Sequence, residues 1–221
     1  MLLPDSVKTV ADRLSAARLT VEEDNVRRHI LQIFASGAIP EVSSLQNHCG
    51  LSSVRVREIL RRLTDLDLCF LDQTVETVLG SYPFSATPTP HRVLLAGREV
   101  FALCAVDALG IPAMLQESAG ISSRCAHCES PVEVRAEPEN LARYLPSGIV
   151  VWFPTPEEDN CCSVAQSRCP HISFFCTGDH LEAWQRGHGE PSGVVLSLLE
   201  AFEAGREIFG SLLVEPEPPM R

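Results

Sequence analysis

The sequence predicts an α+β protein: an N-terminal winged-helix-like helical domain followed by a mixed α/β domain with a small central sheet. Three observations carry this. Apolar residues recur at helical spacing in consecutive stretches before residue 67. Strand-like runs at residues 131–135, 148–153 and 171–176 alternate with further helical stretches after residue 90. A passage rich in Pro, Ser and Thr, residues 81–92, lies between the two parts as a linker or an entering edge strand. The expected domains are therefore residues 1–80 and 81–214, with a Pro- and Glu-rich tail, residues 215–221, expected to be disordered.

In the N-terminal part, Val7, Val10, Leu14 and Ala17 predict an amphipathic helix over residues 5–19. Val26, Ile30, Ile33 and Phe34 predict a second over 26–36, stopped by Gly37, and Pro40 opens a third that ends near His48. Gly50 makes a turn, after which Ser52 or Ser53 caps a helix over 54–66 with Val56, Ile59, Leu60 and Leu63 inward. Strand-like runs at 69–71 and 74–79 complete the order of a winged helix-turn-helix. Arg55, Arg57, Arg61 and Arg62 on the last helix suit either a DNA-reading face or a solvated one, balanced by Glu58, Asp65 and Asp67.

In the second part, residues 91–95 and 99–101 flank Ala96-Gly97-Arg98 as a hairpin. The next stretch is read as a helix over 101–110, kinked or restarted at Pro112 and ending near Gln116. A strand over 131–135, a short helix over 138–144 and a buried strand over 148–153 follow, then a polar loop over 154–166 holding Cys161 and Cys162. A strand over 171–176, a helix from Asp179 and a long final helix over 194–213 end the pattern.

A chain of 221 residues, 45% hydrophobic and 21% charged, has the composition of an ordinary globular protein. Its N-terminus carries no basic segment followed by an apolar one, and its apolar runs are short and interrupted, so a cytoplasmic location without a membrane span is expected. The net charge of −11 is uneven: residues 1–72 hold nine basic and ten acidic side chains, whereas 73–221 hold nine and nineteen. A surface this acidic repels nucleic acid and anionic lipid, so neither is an expected partner.

The nine cysteines are Cys49, Cys69, Cys104, Cys125, Cys128, Cys161, Cys162, Cys169 and Cys176. An odd count without an export signal points to reduced thiols, hence to thiol chemistry or metal binding rather than a disulfide framework. Cys49 and Cys69 are expected in a core. Cys125 and Cys128 form a CxxC pair that, with two of Cys161, Cys162 and Cys169, offers a tetrahedral Zn(II) site. A packing role for Cys125 with an incidental Cys128 is the plain alternative, and the position of the pair before a proline-bounded strand is unlike a thioredoxin-type redox motif. Cys104 and Asp107, three residues apart, share one helical face, where a thiol and a carboxyl can serve one ligand; Cys104 as a small buried hydrophobe is the alternative.

Three ordered stretches resemble the organomercurial (alkylmercury) lyase family: Phe101-Ala102-Leu103-Cys104-Ala105-Val106-Asp107-Ala108-Leu109-Gly110-Ile111-Pro112-Ala113, Ile121-Ser122-Ser123-Arg124-Cys125, and Gln166-Ser167-Arg168-Cys169-Pro170-His171-Ile172-Ser173-Phe174-Phe175. The resemblance covers roughly residues 91–213 and extends to the winged-helix-like region. It implies a catalytic domain that cleaves carbon–mercury bonds by protonolysis for detoxification, with Cys104, Asp107 and Cys169 as the catalytic and mercury-holding residues. It implies no required cofactor, Hg(II) as bound product, and as partners a small organomercurial, cellular thiols and a mercuric reductase that accepts the ion. Cys125 takes the place of the family's third, non-catalytic cysteine.

Soft Hg(II) prefers thiolates, so two cysteines can hold R–Hg while Asp107 moves a proton to the carbon. A cysteine near a helix start is expected to have its thiol pKa lowered by the helix dipole. Family members often have a second cysteine where this chain has Pro170, and Cys128, Cys161, Cys162 and Cys176 are additions. The alternative class is a metal-binding regulatory or binding module, with zinc or mercury on the cysteines and no activity.

Overall fold

The computed structural model of the protein describes residues 17–155, 169–189 and 191–213. The predicted helix over 5–19, the loop with Cys161 and Cys162, and the tail over 215–221 lie outside these residues, apart from the ends of the first two.

The chain folds as α+β. Helix α1 (Val21–Ala35) starts earlier than the predicted 26, because Thr20 and Glu23 form a reciprocal capping box ahead of a polar first turn that shows no apolar stripe. Helices α2 (Val42–Cys49) and α3 (Ser53–Asp65) follow closely the predicted bounds. Gly50 ends α2 in the left-handed region at φ 68°, and the Ser52 side chain caps α3. Their inward faces, including Ile30, Leu45, Val56, Leu60 and Leu63, are fully buried.

The expected small central sheet is in fact an eight-stranded antiparallel sheet in the order β1-β2-β3-β5-β4-β6-β7-β8, beside a three-stranded sheet in the order β10-β9-β11. The large sheet comprises β1 (Cys69–Leu71), β2 (Val78–Ser81), β3 (Phe84–Ser85), β4 (Arg92–Leu95), β5 (Arg98–Ala102), β6 (Ala119–Arg124), β7 (Pro131–Ala136) and β8 (Leu141–Leu145). Within the Pro-rich passage, the short strand β3 pairs with both β2 and β5, so the passage is tied into the sheet rather than being a loose linker. Ala96 and Gly97, both at positive φ, close the predicted β4–β5 hairpin. Arg27 and Arg28 of α1 donate to the carbonyls of Leu212 and Leu213, which joins the first helix to the end of the described chain.

Three expectations change. Where a short helix over 138–144 is expected, the chain instead holds strand β8 (Leu141–Leu145), an exposed edge with no alternation of buried and exposed side chains to read. Residues 194–213 divide into β11 (Gly193–Ser197) and α6 (Leu198–Phe209), because the Ser197–Glu200 capping box starts the helix there. The helix predicted from residue 101 begins at Ala105: Phe101 and Ala102 finish β5, and α4 is Ala105–Leu115 with Pro112 inside it. The second sheet is completed by β9 (Val150–Pro154) and β10 (Ser173–Phe175), and α5 (Gly178–Gly187) follows β10.

Helix α4 is buried from Ala105 to Met114, so it is a central helix and not an amphipathic one. It lies backbone-to-backbone on α6 through Gly110 and Gly205. A Cβ at Gly205 would stand 2.7 Å from the Gly110 nitrogen and 2.8 Å from the Val106 carbonyl oxygen, and neither can swing away as a side-chain tip could. Gly205→Ala is therefore expected to cost about 1–3 kcal/mol by overpacking, read as a lower midpoint in chemical denaturation. An unchanged midpoint would mean that the two helices are not held this closely.

Candidate active site

Two segments far apart in sequence meet at the N-terminus of α4. Cys104 is its N-cap, with extended backbone (φ −151°, ψ 178°), and its Sγ accepts a hydrogen bond from the Asp107 N–H at 3.4 Å. The capping role puts Asp107 at the third helical position, facing the same thiol. Cys169 opens a 3₁₀ turn (Cys169–His171) closed by the Ile172 N–H on the Cys169 carbonyl. The next carbonyl link joins the segments: the Ala105 N–H donates to Ile172 O at 3.0 Å, using a donor that the first turn of α4 leaves free. Cys104 Sγ, Cys169 Sγ and an Asp107 carboxylate oxygen lie within 4.8 Å of one another. The three residues are 2–3% exposed.

Burial sets the protonation of this group. The Cys104 thiol is pushed well above its ordinary value, first by burial, then by Cys169 and the Asp107 charge. The expected lowering by the helix dipole is thus outweighed: Cys104 does stand at the helix start, but out of water and beside a carboxyl. Asp107 is raised to about 7, chiefly by burial and against hydrogen bonds from Cys104 and Cys169 that lower it. Its Oδ2 is buried without a hydrogen-bond partner among the described residues. The arrangement is two buried thiols, of which Cys104 keeps its proton, beside a carboxyl that gains or loses its proton near neutrality, dry enough to hold a soft ion between sulfurs.

The remaining predicted residues fall elsewhere. Cys69 is a core thiol directed at Leu60 O, raised by burial to about 12. Cys125 is buried at the end of β6, and Cys128 is exposed in the turn before β7. They are not joined by Cys169, which belongs to the first group. Instead Cys125, Cys128, Cys176 and His180 place their ligand atoms within 4.8 Å of one another. Sequence reading counts Cys176 only among the additional thiols that could support zinc, and it misses His180, although a Cys-x-x-x-His spacing across a helix start is a readable signal. Hydrogen bonds from Ser130 hold the Cys128 thiol below its usual value, whereas burial and Cys125 raise Cys176. The surface cleft lined by Ala113, Gln116, Glu203 and Glu207 lies at the other end of α4, away from both groups.

Residues 84–210 match the alkylmercury lyase family. The chain is 31% identical over 192 residues to the alkylmercury lyase of Bacillus cereus, covering 86% of this chain and 83% of that protein. It is 30% identical to the alkylmercury lyase of Pseudomonas putida, over 95% of each chain. A crystal structure of the mercury-bound form of MerB2 superposes with a TM-score of 0.79 at 26% identity, covering 95% of this chain and all of that one.

The raised Asp107 pKa has a consequence for stability. Between about pH 4 and 7 the folded protein keeps a proton that the unfolded chain has released, so stability from this group falls as pH rises through that window and stays low above it. The full difference is on the order of 4 kcal/mol. Asp107→Asn is expected to remove this slope and to exceed the wild type in stability most clearly above pH 7, measured by denaturant unfolding across pH. A parallel pair of pH profiles would contradict the raised pKa.

Proposed function

The chain belongs to the alkylmercury lyase family, and from that premise we propose that Cys104, Asp107 and Cys169 are the groups with which it breaks a carbon–mercury bond. The enzyme is an organomercurial lyase: it cleaves the bond by protonolysis and releases a hydrocarbon and Hg(II), a detoxifying reaction. The single observation that supports the assignment is the closed triangle of two buried thiols and one near-neutral carboxyl at the start of α4.

The scheme balances with these groups alone. One thiol replaces the small thiolate that carries R–Hg, and its proton leaves on that carrier. The second thiol passes its proton to ionised Asp107 as its sulfur bonds to mercury, and Asp107 passes the proton to the mercury-bound carbon. The electron pair of the carbon–mercury bond becomes the new C–H bond. Hg(II) is left between two thiolates and Asp107 is ionised again. Thiolate donation raises electron density on the carbon, and the dry surroundings keep water from competing for the proton. The bis-thiolate ion leaves by exchange with cellular thiols, and a mercuric reductase is the proposed acceptor.

For the N-terminal region we propose a winged-helix-like unit, bounded near residue 80, in a structural role. Three helices, a β1–β2 hairpin and the Glu41–Thr77 bridge support this reading. On α3, Arg55 pairs with Glu22 and Glu58, and Arg57 with Glu76, which supports a self-paired face over a DNA-reading one. No helix among the described residues is long and apolar enough to cross a membrane, and the reduced thiols that the scheme needs favour a cytoplasmic location.

With phenylmercury and excess thiol, the wild type is expected to release benzene, and Cys104→Ser and Cys169→Ser each to lose that release by about 100-fold or more. Asp107→Asn should still bind mercury while slowing benzene release by about 10²- to 10⁴-fold. Near-normal turnover in any of the three removes that residue from the scheme. Because Asp107 must be ionised to accept the thiol proton, turnover of the bound substrate should rise with pH through about 7; a rate that falls through this range would assign Asp107 the opposite starting state.

A further inference from the structure

The second thiol group is not used by the lyase chemistry, and its geometry calls for a ligand of its own. Cys125 directly follows β6, Cys128 lies in the following turn, Cys176 follows β10, and His180 is in the first turn of α5. Cys125 Sγ and His180 Nδ1 are 3.6 Å apart. In a tetrahedral zinc site with bonds of about 2.3 Å to sulfur and about 2.0–2.1 Å to nitrogen, a sulfur and a nitrogen ligand stand about 3.6 Å apart and two sulfurs about 3.8 Å. All four ligand atoms are within 4.8 Å of one another, so a small closing movement brings them to one centre.

The surroundings also suit thiolate ligands. The Cys176 N–H points at Cys125 Sγ at 3.4 Å, a backbone donor of the kind that steadies a metal-bound thiolate. The Thr177 side chain accepts from the His180 N–H and fixes the start of α5, so the imidazole is held near the sulfurs. Cys125 is buried, while Cys128 is exposed and opens the group to solvent, giving an ion a way in.

We propose that Cys125, Cys128, Cys176 and His180 form a structural site for one Zn(II), separate from the group at Cys104. Three thiols and one imidazole form a closed tetrahedral set typical of a resident zinc, with no open position for a substrate. On binding, the coordinating thiols release their protons to solvent and His180 is neutral. The site ties the β6–β7 turn of the large sheet to the segment between β10 and α5, at a junction where the Ala126 N–H already donates to Phe174 O. Cys169 lies seven residues before Cys176, on the other side of β10, so the zinc anchors the far end of the arm that carries Cys169 against α4.

The test uses the full-length enzyme purified without chelator, with zinc per chain measured by mass spectrometry. Wild type and Cys104→Ser should each hold about one zinc per chain. Cys128→Ser, which alters an exposed side chain and should fold normally by circular dichroism, should hold several-fold less. Replacing zinc by Co(II) should give the intense visible bands and thiolate-to-metal charge transfer of a tetrahedral site in wild type and Cys104→Ser, weakened in His180→Ala and Cys128→Ser. A wild type that holds no zinc and gives no tetrahedral cobalt spectrum overturns the proposal, as does a spectrum lost in Cys104→Ser and kept in Cys128→Ser. Uptake of Hg(II) by these four residues with no uptake of zinc or cobalt overturns it too, and makes the group a mercury trap. Because these readouts are metal content and spectra, their failure is distinct from a failure of carbon–mercury cleavage.

Discussion

The arrangement depends on a helix N-terminus buried away from bulk solvent. The first turn of α4 has free N–H groups that must find partners. Two are used for the site: the Asp107 N–H meets the Cys104 sulfur, and the Ala105 N–H meets the Ile172 carbonyl. The second bond ties residues near 105 to residues near 172 and so brings Cys169 beside Cys104. The contact of α4 with α6 through Gly110 and Gly205 supports the same helix from its other side. The backbone of α4 is thus fixed along its length before any ligand arrives.

Burial then decides the chemistry. In water, a thiol at a helix start would ionise readily; here the same sulfur is out of water and faces a second thiol and a carboxyl, and it keeps its proton. Asp107 is moved in the same direction, into the range where it exchanges protons at physiological pH. The folded state bears the cost of a carboxyl oxygen with no hydrogen-bond partner among the described residues, as fits the proton transfer proposed for it. In the proposed scheme mercury is the soft ion that displaces the thiol protons, and Asp107 is their acceptor.

Much of this was legible in the sequence, for reasons that differ by element. Helix α3 is readable because an apolar stripe and a cap agree, α2 because Pro40 opens it and Gly50 ends it, and the β4–β5 hairpin because Ala96-Gly97 supplies the turn. The boundary between β5 and α4 was not, since an apolar run buried on all sides has no period to distinguish strand from helix. That four-residue difference changes the site, turning Cys104 from a mid-helix residue into the cap. Strand β6 passed unread because Ala119, Gly120 and two serines carry little strand signal, and β8 because an exposed edge need not alternate. Spacing showed Cys104 with Asp107; the pairing with Cys169 came from resemblance, because contacts across more than sixty residues leave no local trace. The grouping of Cys125 and Cys128 with Cys176 and His180 depends on the meeting of two sheets, which no local pattern encodes.

The central claim is that Asp107 is a buried carboxyl poised to take and give a proton next to two thiols. Infrared difference spectroscopy on enzyme with ¹³C-labelled aspartate, with Asp107→Asn to assign the band, measures this carboxyl directly across pH. A protonated carboxyl stretch that disappears with a midpoint near about 7 in the mercury-free enzyme is the predicted result. A midpoint near the ordinary aspartate value of about 4 would contradict it.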